Sequence, residues 1–349
     1  MINLGIIGAG NISDTHARAA REIDGVEVAA IYGHNQEKAV RLAGLYGGTV
    51  YTDLDAFLNH EPLDVVMIGS PSGLHASQGI AAAQRGLHVL VEKPIDITTG
   101  AADLLIKVCK QAGVKLGVCF QDRVAPDIVR LKEVLDAGRL GKPILVSGRV
   151  KWYRPPEYYR NSRWRGTSGL DGGGALINQG IHTVDLLLWL MGDVTRVNAK
   201  TITALHDIEV EDTVVATLEF ASGAIGTLES ATSAYPGYPR RIELTGSEGT
   251  ILVEDSHVIA ADFRNQEQDL VGSRRTTEEN TPPRASSPVV SDVSGHKKIL
   301  EDFLRAIETD GRPLCDGHEG RRIVELVEAI YESSRTGKAV AIVRVLSGR

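Results

Sequence analysis

Residues 2–13 read Ile2-Asn3-Leu4-Gly5-Ile6-Ile7-Gly8-Ala9-Gly10-Asn11-Ile12-Ser13: a strand-length apolar run, a Gly-x-Gly turn and the opening of a helix. Strand-length apolar runs recur at 26–32, 65–68, 88–91 and 115–120, with amphipathic segments between them. Ile12, His16, Ala19 and Ile23 share one helical face with Gly25 as a stop, and 36–46, 75–85 and 98–112 repeat that logic. Short buried strands alternating with crossover helices read as a doubly wound parallel sheet. The fold class expected is therefore α/β, with this domain occupying residues 1–122.

Beyond it the pattern changes. A helix at 126–137 leads into a strand at 144–150, a glycine-rich stretch opens an apolar helix at 181–191, and alternating runs follow at 194–204, 213–220, 224–230, 241–245, 250–254 and 257–262. Turn signals between the later runs suggest an antiparallel meander in one large open sheet. Residues 266–293 are polar and aperiodic, which reads as an exposed loop, and helices at 297–308 and 318–334 close a second domain spanning 123–349.

Bulk properties narrow the function classes. A chain of 349 residues suits two domains, and 42% hydrophobic with 24% charged residues is ordinary for a folded, water-soluble protein. The net charge of −7 argues against a nucleic-acid surface or an anionic membrane as partner. No apolar stretch nears the roughly 20 residues that span a bilayer, and no secretory leader is recognisable. Three dispersed cysteines, Cys109, Cys119 and Cys315, read as reduced thiols. The expected location is the cytoplasm, and no metal site is expected, because no His, Cys or Asp cluster shows ligand spacing.

The Gly-x-Gly turn points to a dinucleotide. Gly8 permits the tight turn, Gly10 lets the backbone approach a pyrophosphate, and the first N–H groups of the helix, from Asn11 and Ile12, face its charge. Ser13 stands where a third glycine is usual, so slightly looser helix–strand packing is expected. The position that would hold a ribose-binding carboxylate reads Tyr32-Gly33-His34-Asn35. Gly33 leaves space for a 2′-phosphate, and His34, Lys38 and Arg41 could face it; the set favours NADP and leaves NAD open.

Two further stretches sit where ligands bind in such sheets, at carboxyl ends of strands: Ser70-Pro71-Ser72-Gly73-Leu74-His75 and Glu92-Lys93-Pro94. A partly buried Lys93 could polarise a substrate hydroxyl. In the second domain, Gly172-Gly173-Gly174 frees the backbone for a close approach, and Asn178, His182 and Asp185 at spacings of four and three could share one helical face towards a cleft. Imidazole suits removal of a proton from an alcohol as its hydride leaves.

The N-terminal Gly-x-Gly, Glu92-Lys93-Pro94 and the glycine-rich run to His182 and Asp185, in this order along the whole chain, resemble the Gfo/Idh/MocA oxidoreductase family. The resemblance implies a Rossmann domain followed by an α/β domain with a large, open, mainly antiparallel sheet, whose outer face makes a homodimer or homotetramer contact. It implies Lys93 and His182 as the catalytic pair. Asn178 departs from the family's usual Asp four residues before the histidine, which puts a carboxylate role there in doubt. The implied reaction moves a hydride between NAD(P) and a secondary hydroxyl of a sugar, sugar nucleotide or inositol-like substrate, with His182 taking the proton and Lys93 positioning the oxygen. The nucleotide is expected to touch Gly8, Gly10, Asn11, Ile12, Gly33, His34, Asn35, Lys38, Ser70, Pro71, His75, Glu92 and Lys93.

The aromatic and basic stretch 151–165 is the expected substrate surface, through Tyr153, Tyr158, Tyr159, Arg163, Trp164 and Arg165, with Gln121 added. Aromatic faces suit sugar rings, and guanidiniums suit a carboxylate or phosphate. Asn178-Gln179-Gly180, Tyr158-Tyr159 and Trp164-Arg165-Gly166 resemble the family's sugar-nucleotide 3-dehydrogenase branch. Two other uses of the same residues stay open: a cofactor-binding sensor without turnover, and a glycosidase or epimerase that reduces and reoxidises a held cofactor.

Overall fold

The computed structural model describes residues 1–264 and 292–342. Two compact units result, one from Met1–Gln121 with Val289–Val324, the other from Asp122–Pro288 with Glu325–Arg349. The first break falls between Gln121 and Asp122. The return of the C-terminal segment to the first unit has no signal in local sequence. The expectation of a loop at 266–293 lies outside the described residues, apart from Asp292 and Val293.

The first unit is built on strands β1 (Ile2–Ile7), β2 (Val26–Tyr32), β3 (Thr49–Tyr51), β4 (Val65–Ile68), β5 (His88–Glu92) and β6 (Leu116–Cys119), in the order β3-β2-β1-β4-β5-β6 and parallel throughout. The strand order reverses beside β1, which places the β1 turn at the topological switch point where such sheets take their ligands. Helices α1 (Asn11–Arg21), α2 (Gln36–Tyr46), α3 (Leu54–Leu58), α4 (His75–Ala83) and α5 (Thr99–Ala112) are the crossovers. Helix α1 buries His16 and Ala19 of the expected face together with Ser13, Ala17 and Ala20, and leaves Ile12 and Ile23 half-buried, because small side chains let the helix lie close to the sheet.

The second unit carries α6 (Pro126–Asp136), β7 (Pro143–Lys151), α7 (Pro156–Arg160), α8 (Ile181–Met191) and strands β8 (Val194–Ile202), β9 (Thr213–Phe220), β10 (Ile225–Ala231), β11 (Arg241–Gly246), β12 (Gly249–Glu254) and β13 (His257–Phe263). Helix α9 (Ser294–Glu308) belongs to the first unit; α10 (Gly317–Thr336) follows it in the chain, and β14 (Val340–Ala341) adds an edge to the second unit's sheet. The sheet order is β13-β12-β11-β7-β10-β9-β8-β14. It is not the continuous meander expected. Strand β7 inserts between β11 and β10 and runs parallel to β10, while every other pair is antiparallel. Burial alternates along β9, so that Val214, Ala216, Leu218 and Phe220 form a core while Val215 stays half exposed on the outer face. The apolar helix α8 packs on the inner side, against β7, where Gly148 makes room for Thr183 and Leu187.

Candidate active site

At the switch point Gly8 holds φ +117°, and a Cβ there would stand 2.8 Å from the Gly69 carbonyl oxygen. Glycine is the residue that fits. Gly10 precedes α1 as its N-cap, and a Cβ added to it would meet nothing within 4 Å. Open space over a bare helix N-terminus, here Asn11 and Ile12, is what a pyrophosphate needs. Ser13 does not loosen the packing as expected: it is fully buried, fitted against Gly8 and Gly69.

The segment after β2 also differs from its reading. Gly33 is filled in rather than vacant, since a Cβ would lie 2.9 Å from Ala9 and 3.0 Å from Ala39. Asn35 caps α2 by accepting from the Lys38 backbone N–H at 3.0 Å. The side chains left outward are His34, Lys38 and Arg41, all exposed.

Two expected ligand residues turn inward. His75 is 1% exposed, and its ring nitrogens face the carbonyl oxygens of Pro94 at 2.7 Å and Ser70 at 2.9 Å. It thereby ties the turn after β4, containing Ser70 and Pro71, to the loop that carries Lys93. Asp96, which the sequence reading passed over, reinforces that loop by accepting from Ala76 and Ile97 backbone N–H groups. The Ser70 hydroxyl donates to Gln78. Lys93 itself is half-buried. Glu92 is buried beside two imidazoles, 3.1 Å from His16 Nε2 and 3.6 Å from His296 Nε2. Burial pushes its carboxyl up, but the hydrogen bonds and charge of those imidazoles outweigh it and hold it well below the usual range. Burial drives the His16 pKa down. The two shifts favour an ionised Glu92 and an uncharged His16.

His16, Glu92 and Cys119 bring possible metal-ligand atoms within 4.8 Å of one another, a cluster no sequence spacing announces. The His16–Glu92 separation is a hydrogen-bond distance, and burial, with the Glu92 charge, pushes the Cys119 thiol well above its ordinary pKa. A thiol that holds its proton is a weak metal ligand, and we assign no metal to this cluster.

In the second unit the glycine run serves the chain itself. A Cβ on Gly174 would stand 1.8 Å from the Glu211 carbonyl oxygen, and one on Gly173 2.1 Å from the Tyr331 hydroxyl. Glu211 then accepts from the Gly174 and Leu176 N–H groups and from Tyr331. The next six residues, Ala175–Gly180, form a π-helical turn before α8. The extra residue per turn breaks the four-residue register expected between Asn178 and His182. Asn178 donates to Asp171 at 2.7 Å and accepts from Gln179 at 3.0 Å.

His182 begins α8 with its side chain 13% exposed, and its Nδ1 lies 3.7 Å from Asp122 Oδ2. Asp122 accepts from Arg240 Nη1 at 2.6 Å, and Arg240 in turn donates to Ser256. Asp185 does not face a cleft. It is fully buried, accepting from Arg123 Nε at 2.9 Å and Nη2 at 2.6 Å, while the guanidinium lies over Trp189. Consecutive residues Asp122 and Arg123 thus reach two sites one turn apart on α8. The sequence reading missed both, although an Asp-Arg pair just past the end of β6 was available as a signal.

The substrate stretch divides. Tyr159 belongs to the core, 7% exposed, with its hydroxyl 2.7 Å from Thr232 Oγ1, and burial pushes its pKa up. Tyr153 stacks edge-on against the exposed Tyr235. Arg163 is exposed. Tyr158, Trp164 and Arg165 come together with Arg154 and Gln179: Arg165 lies 4.3 Å over the Tyr158 ring and 5.3 Å over Trp164, and Gln179 donates to the Tyr158 hydroxyl at 2.9 Å. Gln121, in the first unit, packs its side chain against Gly295.

Family models match both parts of the chain, an oxidoreductase family with an NAD-binding Rossmann fold over residues 2–120 and a GFO/IDH/MocA C-terminal domain over residues 128–252. The chain belongs to the Gfo/Idh/MocA oxidoreductase family. Its relatives in this family include D-apiose dehydrogenase of Paraburkholderia graminis, 30% identical over 97% of this chain and 88% of that protein. D-xylose 1-dehydrogenase (NADP(+)) 2 of Haloferax volcanii is 29% identical over 97% and 99%. Among solved structures, the WlbA dehydrogenase of Bordetella pertussis, in complex with NADH and UDP-GlcNAcA, superposes with a TM-score of 0.88 at 32% identity, covering 98% of each chain. Membership makes this chain an NAD-binding oxidoreductase among dehydrogenases of sugar-type alcohols.

Proposed function

We propose that the protein oxidises a secondary hydroxyl of a carbohydrate-type substrate, with His182 as the base that accepts the hydroxyl proton and Lys93 as the cation that positions and polarises the oxygen. The observation that carries the reading is the Gly8–Gly10 turn, with open space above the α1 N-terminus at the switch point of the sheet. The cofactor supplies the hydride chemistry when bound, and the chain supplies orientation and the proton path. Asp122, held by Arg240 with Oδ2 3.7 Å from His182 Nδ1, is the carboxylate that stabilises the imidazolium once His182 has taken the proton, a task that Asn178 is without the charge to perform. At the ribose, no carboxylate stands among residues 32–35 to repel a 2′-phosphate, and the exposed His34, Lys38 and Arg41 favour one. The proposal here is use of NADP as well as NAD. The relative that names NADP(+) and the neighbour that holds NADH support that breadth.

We also propose a homo-oligomer formed through the outer face of the eight-stranded sheet, where Leu145, Val215 and Ile225 are about half exposed. A cytoplasmic location fits the three buried cysteines, Cys109, Cys119 and Cys315, which form no disulfide. Among the described residues no helix is long and apolar enough to cross a membrane.

The deciding measurement is the reduced-nicotinamide absorbance of purified protein with NAD or NADP and a panel of sugars, inositols and sugar nucleotides. Turnover that falls by about 10²–10⁴-fold in His182→Ala, with cofactor affinity unchanged, is the expected result. A protein that binds cofactor while no compound alters its redox state is a sensor, and one that binds no cofactor overturns the reading altogether.

A further inference from the structure

Glu211 clasps the turn that leads to His182 with its main chain and its side chain at once. Three consecutive N–H groups at the start of the π-helical turn end on this one residue: Gly174 on Oε2 at 2.9 Å, Ala175 on the carbonyl oxygen at 3.0 Å and Leu176 on Oε1 at 2.8 Å. Tyr331, on α10, donates to Oε1 at 3.0 Å; burial and the Glu211 charge push its pKa well up, so the phenol keeps the proton it donates. Glu211 is 7% exposed, and burial pushes its own pKa up against the pull of these bonds. From β10, Ser230 donates to the Ala175 carbonyl at 2.8 Å, and a Cβ on Gly180 would stand 2.7 Å from the same hydroxyl oxygen. The turn is therefore bracketed at both ends. Helix α8 continues from it without a break, with His182 as its second residue.

A π-helical turn is rare in proteins and recurs at functional sites. Three successive glycines, Gly172, Gly173 and Gly174, lead into this one, and glycine is the residue with the most backbone freedom to lose. The order of the turn has to come from the groups that clasp it. Return to α-helical spacing would release one residue, and each residue on an α-helix is about 100° of rotation. A buried acid that fixes the turn therefore fixes the direction in which the start of α8 presents its side chains. We propose that Glu211, with Tyr331, is a positioning residue for His182: it holds the π-helical turn so that the imidazole faces Asp122, and it acts on the proton transfer only through that placement. This rests on the dehydrogenase reading and adds to it a residue that takes no proton itself.

The test compares Glu211→Gln with the wild type. An amide has one acceptor oxygen where the carboxylate has two, so either the Gly174 or the Leu176 N–H then faces a donor. With the compound that the sugar panel identifies, kcat is expected to fall about 10–100-fold while KM and NADH affinity stay as in the wild type. In His182→Ala the same substitution should leave kcat nearly unchanged, because a residue that works through the imidazole has nothing left to place. Ring resonances of isotope-labelled histidine give a second readout, with the His182 signal identified by its loss in His182→Ala. That signal should move in Glu211→Gln towards its position in Asp122→Asn. Tyr331→Phe removes one hydroxyl and should move both readouts the same way by less; it decides the matter where Glu211→Gln does not fold. A His182 signal that stays in place, or a kcat loss of equal size with and without His182, overturns the proposal. If no compound is oxidised, the dehydrogenase reading fails, and the His182 signal alone decides whether Glu211 places that ring.

Discussion

In the proposed mechanism His182 and Asp122 form the pair on which the proton chemistry turns, and the pair is separable from the nucleotide site by mutation. Asp122→Asn keeps the size of the side chain and removes its charge. It is expected to lower kcat by about 10–100-fold through loss of the negative charge beside the imidazolium, while NADH affinity stays as in the wild type. Stopped-flow turnover beside a fluorescence titration of NADH checks this, and unchanged kcat would remove Asp122 from the mechanism. A strand, a Gly-x-Gly turn and a lysine at a strand end are legible in the sequence because each is local and can be read in a line. His75 and Glu92 were read as ligand-facing, yet their partners, Pro94 and His296, are brought to them only by folding.

At the scale of elements, α8 is held by a buried ion pair rather than by its apolar face alone. Arg123→Ala would leave Asp185 charged and fully buried, a change that costs about 3–5 kcal/mol in comparable cases. Denaturant unfolding should show that loss, and a shift below about 1 kcal/mol would mean the pair is dispensable. The β8–β9 connection depends on Asp212, which accepts from the Ala204, Leu205 and His206 N–H groups and from Thr213. Burial pushes its carboxyl up, but these bonds together hold it below the ordinary value. A depressed folded-state pKa contributes stability that is present above the unfolded pKa and lost as pH falls through the folded one. Asp212→Asn should therefore melt below the wild type at neutral pH, with the gap closing in acid; a constant gap from neutral pH to about pH 3 contradicts the linkage. The helix and strand ranges were read closely from periodicity. The π-helical turn was not, because its cause is long-range: Glu211 and Tyr331 claim the space that glycines vacate.

For the whole molecule, ligand linkage and assembly are the measurable consequences. NADH and NADPH should each raise the melting temperature, with affinities within about 10-fold of each other; at a hundred times Kd the gain is about 2.7 kcal/mol. Lys38→Glu should weaken NADPH selectively. Light scattering should report a dimer or tetramer that Val215→Lys with Ile225→Lys reduces to a monomer, and a wild-type monomer would refute the sheet-face contact.

The sequence by itself determined the α/β class, the dinucleotide turn and nearly every strand, since each depends on periodicity and turn chemistry within a few residues. Tertiary structure alone decided that β7 enters between β11 and β10, that α9 packs with the first unit, that Asp122 faces His182, and that Asp185 is spent on Arg123. Such pairings join groups far apart along the chain, 218 residues in the case of Asp103 and Arg321. Hydrogen bonds and buried charges choose partners by distance in space, and a periodic pattern along the chain holds no record of that distance.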